Sequence, residues 1–200
     1  MFWDKIAKFY DLFETVYNGK VYKNLGRTVA ESVEPTDAVL ECACGTGAIS
    51  KAIAEKCQRL LATDVSSRML KAAKKKCKKL PNAEFALADI MNLEYADDTF
   101  DKVVAGNVIH LLEEPYAALK ELERVCRVGG KMIIPTYVNM EKKGKTNFFV
   151  RSIDKAGAGF KRQFTYETYQ AVFSEAGYTN VEYRLIEGKM PCAVAVITKK

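Results

Sequence analysis

The sequence predicts an α/β fold built on a doubly wound, mostly parallel sheet. Three observations carry that reading. Short apolar runs alternate with stretches of helical periodicity through the middle of the chain, the pattern of βαβ units. The first run turns through two closely spaced glycines, Gly45 and Gly47, into a helical pattern. Three successive runs end in an acid, Glu41, Asp64 and Asp89, and open α/β sheets bind ligands beyond the carboxyl ends of their strands.

In chain order, the runs near 38–43, 59–63, 84–88, 101–105 and 131–137 predict five strands, with helical patterns near 47–57, 67–79 and 115–126 between them. Thr165 to Ala176 reads as a further amphipathic helix closed by Gly177, and 181–186 and 192–198 as two late strands, seven in all. In the helix over 67–79, Lys71, Lys74, Lys75, Lys76, Lys78 and Lys79 interleave with Met69, Leu70, Ala72, Ala73 and Cys77, which predicts a solvated cationic face. Residues 1–34 place Trp3, Ile6, Phe9, Tyr10, Leu12, Phe13, Val16 and Tyr17 at helical spacing. The stretch from 138 to 164 is long for a loop, and such loops on a rigid scaffold are a usual location for specificity.

Composition limits the function classes. Two hundred residues, 48% hydrophobic and 28% charged, fit one globular domain over 1–200. No apolar stretch approaches the ~18 residues that span a bilayer. The opening Met-Phe-Trp-Asp-Lys-Ile-Ala-Lys lacks the apolar core of a secretory signal, so a cytoplasmic location is expected. Six cysteines without paired C-x-x-C spacing and a solitary histidine, His110, predict no metal site; Cys42 and Cys44 read as small packing residues of the glycine turn. A net charge of +6 leaves nucleic acid open as a partner.

The chemistry concentrates in Glu41-Cys42-Ala43-Cys44-Gly45-Thr46-Gly47. Gly45 and Gly47 suit a turn that lets backbone approach a ligand, because neither carries a Cβ. A dinucleotide fingerprint, G-x-G-x-x-G/A, would need a small third residue where this chain has Ser50. Asp64 lies 23 positions after Glu41, near the ~20-residue interval at which a βαβ unit places a ribose-binding carboxylate.

The set resembles motif I and the following motifs of class I S-adenosylmethionine-dependent methyltransferases: the acid-ended first strand with its glycine turn, Thr63-Asp64, Ala88-Asp89-Ile90, Phe100 to Ala105, Asn107 to Leu112, and Val128-Gly129-Gly130 before the fifth strand. Over residues 36–137 it is similar to the small-molecule enzymes related to the ubiquinone and menaquinone C-methyltransferases. The first small residue of the turn is Ala43 where the family usually has glycine. The resemblance implies a Rossmann-like methyltransferase fold, a seven-stranded sheet with an antiparallel C-terminal hairpin edge. It implies S-adenosylmethionine as cofactor, released as S-adenosylhomocysteine. Its contacts would fall on Glu41, Ala43, Cys44, Gly45, Thr46, Gly47, Asp64, Val65, Met69, Asp89, Ile90, Asn107, Val108 and Tyr10, with Asp89 near the adenine amine. In that family such an N-terminal helix also covers the cofactor, so the helix within 1–34 reads as a lid or as plain core packing, and the insertion at 144–162, outside the cofactor motifs, is a candidate for facing the substrate.

Methyl transfer from a sulfonium mainly needs alignment and exclusion of water, and orientation can contribute ~7 to 11 kcal/mol. A base is needed only where the acceptor loses a proton, and His110 is the side chain with an ordinary pKa near neutrality. Tyr10, Tyr137 and Arg151 are further candidates for holding a small-molecule acceptor. Three alternatives stand beside this reading: an RNA methyltransferase using the lysine face, a nicotinamide reductase suggested by the Y-x-x-x-K spelled by Tyr116 and Lys120, and a non-catalytic cofactor-binding protein. Asn107-Val108-Ile109-His110 does not resemble the Asn/Asp-Pro-Pro-Tyr/Phe motif that grips a base amine, and the glycine turn lacks the reductases' T-G-x-x-x-G-x-G.

Overall fold

Seven strands form one sheet in the order β3-β2-β1-β4-β5-β7-β6. They are β1 (Ala38–Cys42), β2 (Arg59–Asp64), β3 (Ala83–Leu87), β4 (Phe100–Ala105), β5 (Cys126–Tyr137), β6 (Val181–Ile186) and β7 (Cys192–Thr198). The structure, a computed structural model, describes residues 18–139 and 161–200. Tyr10, Arg151, the first half of the expected lid and nearly all of the 144–162 insertion lie outside the described residues. The helices are α1 (18–30), α2 (Ala48–Ala54), α3 (Ser67–Lys76), α4 (Pro115–Val125) and α5 (Tyr166–Glu175), with a 3₁₀ turn at Ile109–Leu111.

Strands β1 to β5 pair in parallel, and β7 runs antiparallel to both β5 and β6. The C-terminal hairpin is therefore the antiparallel edge that the family resemblance implies, with its second strand inserted between β5 and the first. Strand alternation sorts side chains to two layers. Met132, Ile134, Ala193 and Ala195 face one core with Leu119, Leu122 and Val125 of α4 and Tyr169 and Phe173 of α5. Ile133, Val194 and Val196 face the other, with Val21, Leu25 and Val29 of α1, Ile53 of α2 and Leu70 of α3. Each fully buried Leu, Ile, Val or Phe contributes about 1.5 to 3 kcal/mol by leaving water, so both helical layers are needed to keep the sheet covered.

Local chemistry sets the boundaries. Ser66 caps α3 by accepting from the Met69 amide at 3.2 Å, and Thr165 and Thr168 form a capping box on α5. Gly177, at φ 90°, ends α5 as the sequence predicts. Strand β5 starts at Cys126, five residues earlier than the apolar run suggests, because α4 passes directly into it and the register with β4 shifts between Phe100 and Lys102. Gly129 sits at φ 75° there, and a Cβ on Gly130 would meet the Asp101 carbonyl oxygen at 2.7 Å. At the amino ends of the strands, buried Lys102 pairs with Asp37 at 3.0 Å, and Asp101 accepts from the Ala38 amide and pairs with Arg127. These charges lock the base of the sheet, away from the site.

Candidate active site

The carboxyl ends of β1 to β5 open into a cavity of about 490 Å³, within the range of small-molecule sites. Its floor begins where β1 stops. Ala43, Gly45 and Gly47 all adopt positive φ, at 53°, 56° and 81°. Ala43 thus occupies a conformation that favours glycine, which gives the departure noted in the sequence a physical price of about 1 to 2 kcal/mol. A Cβ on Gly45 would meet nothing within 4 Å, so this residue leaves room at the cavity floor. Gly47 does something else: it does not line the cavity, and a Cβ there would meet Ala73 of α3 at 2.9 Å. Its smallness serves the contact between α2 and α3, a role that the glycine spacing alone does not show.

The three acids take different positions. Asp64, 7% exposed, accepts from the Gly45 amide through Oδ2 at 2.9 Å and from the Ser66 amide through Oδ1 at 2.8 Å. It therefore ties the glycine turn to the start of α3 while lining the cavity. Asp89 is exposed at the end beyond β3 and accepts from the Met91 amide at 2.9 Å. Glu41 is buried, and the Ser50 hydroxyl donates to its Oε2 at 2.5 Å. Burial raises the Glu41 pKa to about 8; the Ser50 hydrogen bond and the Lys76 charge oppose that rise, and Asp64 adds to it. Ser50, read in the sequence only as a failed third glycine, is thus the partner of the first acid.

Val65, Met69, Ile90 and Val108 line the cavity with Ala43, Cys44 and Thr46. Asn107 lines it too, at φ 53°; its amide donates to the Pro135 carbonyl at 2.8 Å and its Oδ1 accepts from the Tyr137 amide at 3.1 Å, joining the ends of β4 and β5. The sequence did not single out Tyr22 and Leu25 from α1, or Ile49, Met91, Leu111 and Leu112, which complete the wall with Tyr137. Tyr22 and Leu25 fall within the 1–34 segment but beyond the apolar stripe named there, which ends at Tyr17. All six cysteines are free and buried; burial raises the Cys42 thiol to about 12 and pushes Cys44 up as well, leaving both as neutral packing groups.

His110 sits apart from these residues. It is buried, it is not among the cavity-lining residues, and burial lowers its pKa to about 4, which makes it a weak base. Its carbonyl instead accepts from the Lys161 and Arg162 amides, and the Arg162 guanidinium donates to the Leu112 and Glu113 carbonyls. This segment fastens the returning chain beside the cavity. Tyr116, of the reductase-like Y-x-x-x-K, donates to Glu175 of α5 at 2.6 Å and lines no part of the cavity.

A methyltransferase-domain family matches residues 40–134, the span from β1 through β5 that builds this cavity. Demethylmenaquinone methyltransferase of Paenarthrobacter aurescens is 26% identical over 205 residues, covering 92% of this chain and 80% of that protein. The chain carries a methyltransferase domain and is similar to the demethylmenaquinone methyltransferases. Demethylmenaquinone methyltransferase of Renibacterium salmoninarum is 32% identical over 136 residues, 67% of this methyltransferase and 56% of that one. The crystal structure of an S-adenosylmethionine-dependent methyltransferase from Thermotoga maritima superposes with a TM-score of 0.71 at 19% identity, covering 100% of this chain and 99% of that one, which shows the shared fold. Among the described residues, no helix of this methyltransferase is long and apolar enough to cross a membrane, and no group of three or more His, Cys, Asp or Glu could hold a metal ion.

Proposed function

We propose that the cavity holds S-adenosylmethionine and that the acceptor is a small, largely apolar ring compound of the quinol type. The observation that supports the cofactor assignment is the convergence of Glu41, Asp64 and Asp89 on one cavity whose floor is left open at Gly45. The donor set suits the group: Asp64 is a carboxylate for ribose hydroxyls, Asp89 stands where the family places the adenine amine, and Glu41, which keeps its proton in the ligand-free protein, is an acid whose ionisation an arriving cation would favour. The cofactor supplies an activated methyl on a sulfonium leaving group. The acceptor class follows from the wall beyond these acids, where Val108, Leu111, Leu112 and Met91 are apolar and Tyr137 offers a ring with one polar tip. The relatives named for demethylmenaquinone point to the same class.

The chain's own residues then act by binding, orienting and excluding water. Asn107 fixes the spacing between the ends of β4 and β5, so that Val108 and Tyr137 present a rigid wall to the acceptor. Burial keeps His110 neutral at physiological pH, and it is not among the described residues that line the cavity, so the proton released by an acidic quinol is not assigned to it. The test incubates the protein with methyl-labelled S-adenosylmethionine and three separate pools: chemically reduced lipid-extractable quinones, polar metabolites and total RNA. Label in the quinol pool supports the reading. Label in RNA alone, or in the polar pool alone, would overturn it.

A further inference from the structure

We propose that Lys76 is a positioning residue for the carboxylate of the cofactor's amino-acid tail, acting through the hydroxyls of Tyr22 and Thr46; this rests on the cofactor reading above. The carboxyl groups that line the cavity are Glu41, Asp64 and Asp89. Asp64 and Asp89 suit ribose and an adenine amine, Glu41 suits an ammonium, and none of the three offers a carboxylate a positive partner. A ligand tail with both an ammonium and a carboxylate therefore needs a cation nearby. Among the described residues, no lysine or arginine lines the cavity, and Lys76 is the cation that hydrogen-bonds side-chain hydroxyls which do: its Nζ donates to Tyr22 Oη at 3.2 Å and to Thr46 Oγ1 at 3.4 Å, and lies 5.8 Å from the Tyr22 ring centroid.

Geometry explains how a residue on a lysine-rich helix comes to do this. Helical side chains lean toward the helix N-terminus, so Lys76 at the end of α3 reaches back toward the glycine turn. The absent Cβ of Gly47 lets α2 and α3 come close enough for it to arrive at Thr46. Lys71, Lys74, Lys75, Lys78 and Lys79 remain exposed, while Lys76 is half-buried. An ammonium has donors and no acceptor. Each hydroxyl that accepts from Lys76 keeps its own proton to give elsewhere, and both belong to cavity-lining residues. Lys76 thereby biases two neutral side chains toward donating to an anion, and its charge strengthens both bonds.

The test compares two ligands by calorimetry: S-adenosylhomocysteine, which carries the amino-acid tail, and methylthioadenosine, which lacks it. Lys76→Met should weaken S-adenosylhomocysteine roughly tenfold to a hundredfold and leave methylthioadenosine within about twofold. Lys76→Arg should recover most of the loss. Tyr22→Phe, which keeps the ring and removes the hydroxyl, should show the same split to a smaller degree, and it provides the reading should Lys76→Met fail to fold. Equal losses for both ligands would make Lys76 a packing residue and overturn the proposal, as would no loss for either. Wild-type protein that bound neither ligand would overturn the cofactor reading itself.

Discussion

Replacing Glu41 with glutamine should make the ligand-free protein more stable as pH rises, although it removes a group from the binding site. Glu41 is buried, and its pKa stands near 8 against an ordinary 4.5. Below pH 4.5 the carboxyl is protonated in both folded and unfolded chains and carries no penalty. Between 4.5 and 8 the unfolded chain ionises while the folded one keeps its proton, so stability falls as pH rises, by up to about 1.4 kcal/mol per unit. Above 8 the full difference has been lost, on the order of 5 kcal/mol. Glutamine keeps an acceptor for the Ser50 hydroxyl and cannot ionise. Urea unfolding of both proteins at pH 5.5 and 7.5, after removal of bound ligand, should therefore show the Glu41→Gln advantage growing by roughly 2 to 3 kcal/mol. A stability difference that does not change with pH would mean that Glu41 ionises normally and that the burial reasoning is wrong.

Asp64→Ala should weaken S-adenosylhomocysteine at least ~100-fold and destabilise the ligand-free protein by about 2 to 3 kcal/mol, because the lost carboxylate also holds the Gly45 and Ser66 amides; isothermal titration and urea unfolding read the two effects separately. Ala43→Gly should stabilise by about 0.5 to 1 kcal/mol, since relief of the positive φ outweighs the added freedom of the unfolded chain, with ligand affinity within about twofold. The pH profile of kcat should show no His110 inflection near 6.5, because the imidazole stays neutral down to about 4; an inflection there that disappears in His110→Gln would restore the base role.

Much of the site was legible because parallel strands buried on both faces read as apolar runs, and Glu41 and Asp64 mark where such runs stop; Asp89 lies two residues beyond β3. What escaped depends on contacts that sequence spacing does not encode. Ser50 meets Glu41 across the turn from strand to helix, nine residues on, and looked only like a missing glycine. Lys76 looked like its neighbours on the lysine face, because the close packing at Gly47 that brings it to Thr46 joins elements 30 residues apart. Tyr22 and Leu25 sit on a helix with apolar spacing, and periodicity does not tell a cavity wall from a core. The base role of His110 was drawn from its ordinary pKa, and sequence alone does not show the burial that lowers it. The antiparallel hairpin edge followed from the family likeness and not from the two late apolar runs, and neither gave the insertion of β7 between β5 and β6.

Calorimetric titration of the ligand-free protein with S-adenosylhomocysteine and, separately, with NAD tests the cofactor assignment most directly. Saturable binding of S-adenosylhomocysteine with one site per chain, lost in Asp64→Ala, and no heat from NAD is the predicted result. Tight NAD binding with no response to S-adenosylhomocysteine would contradict the account.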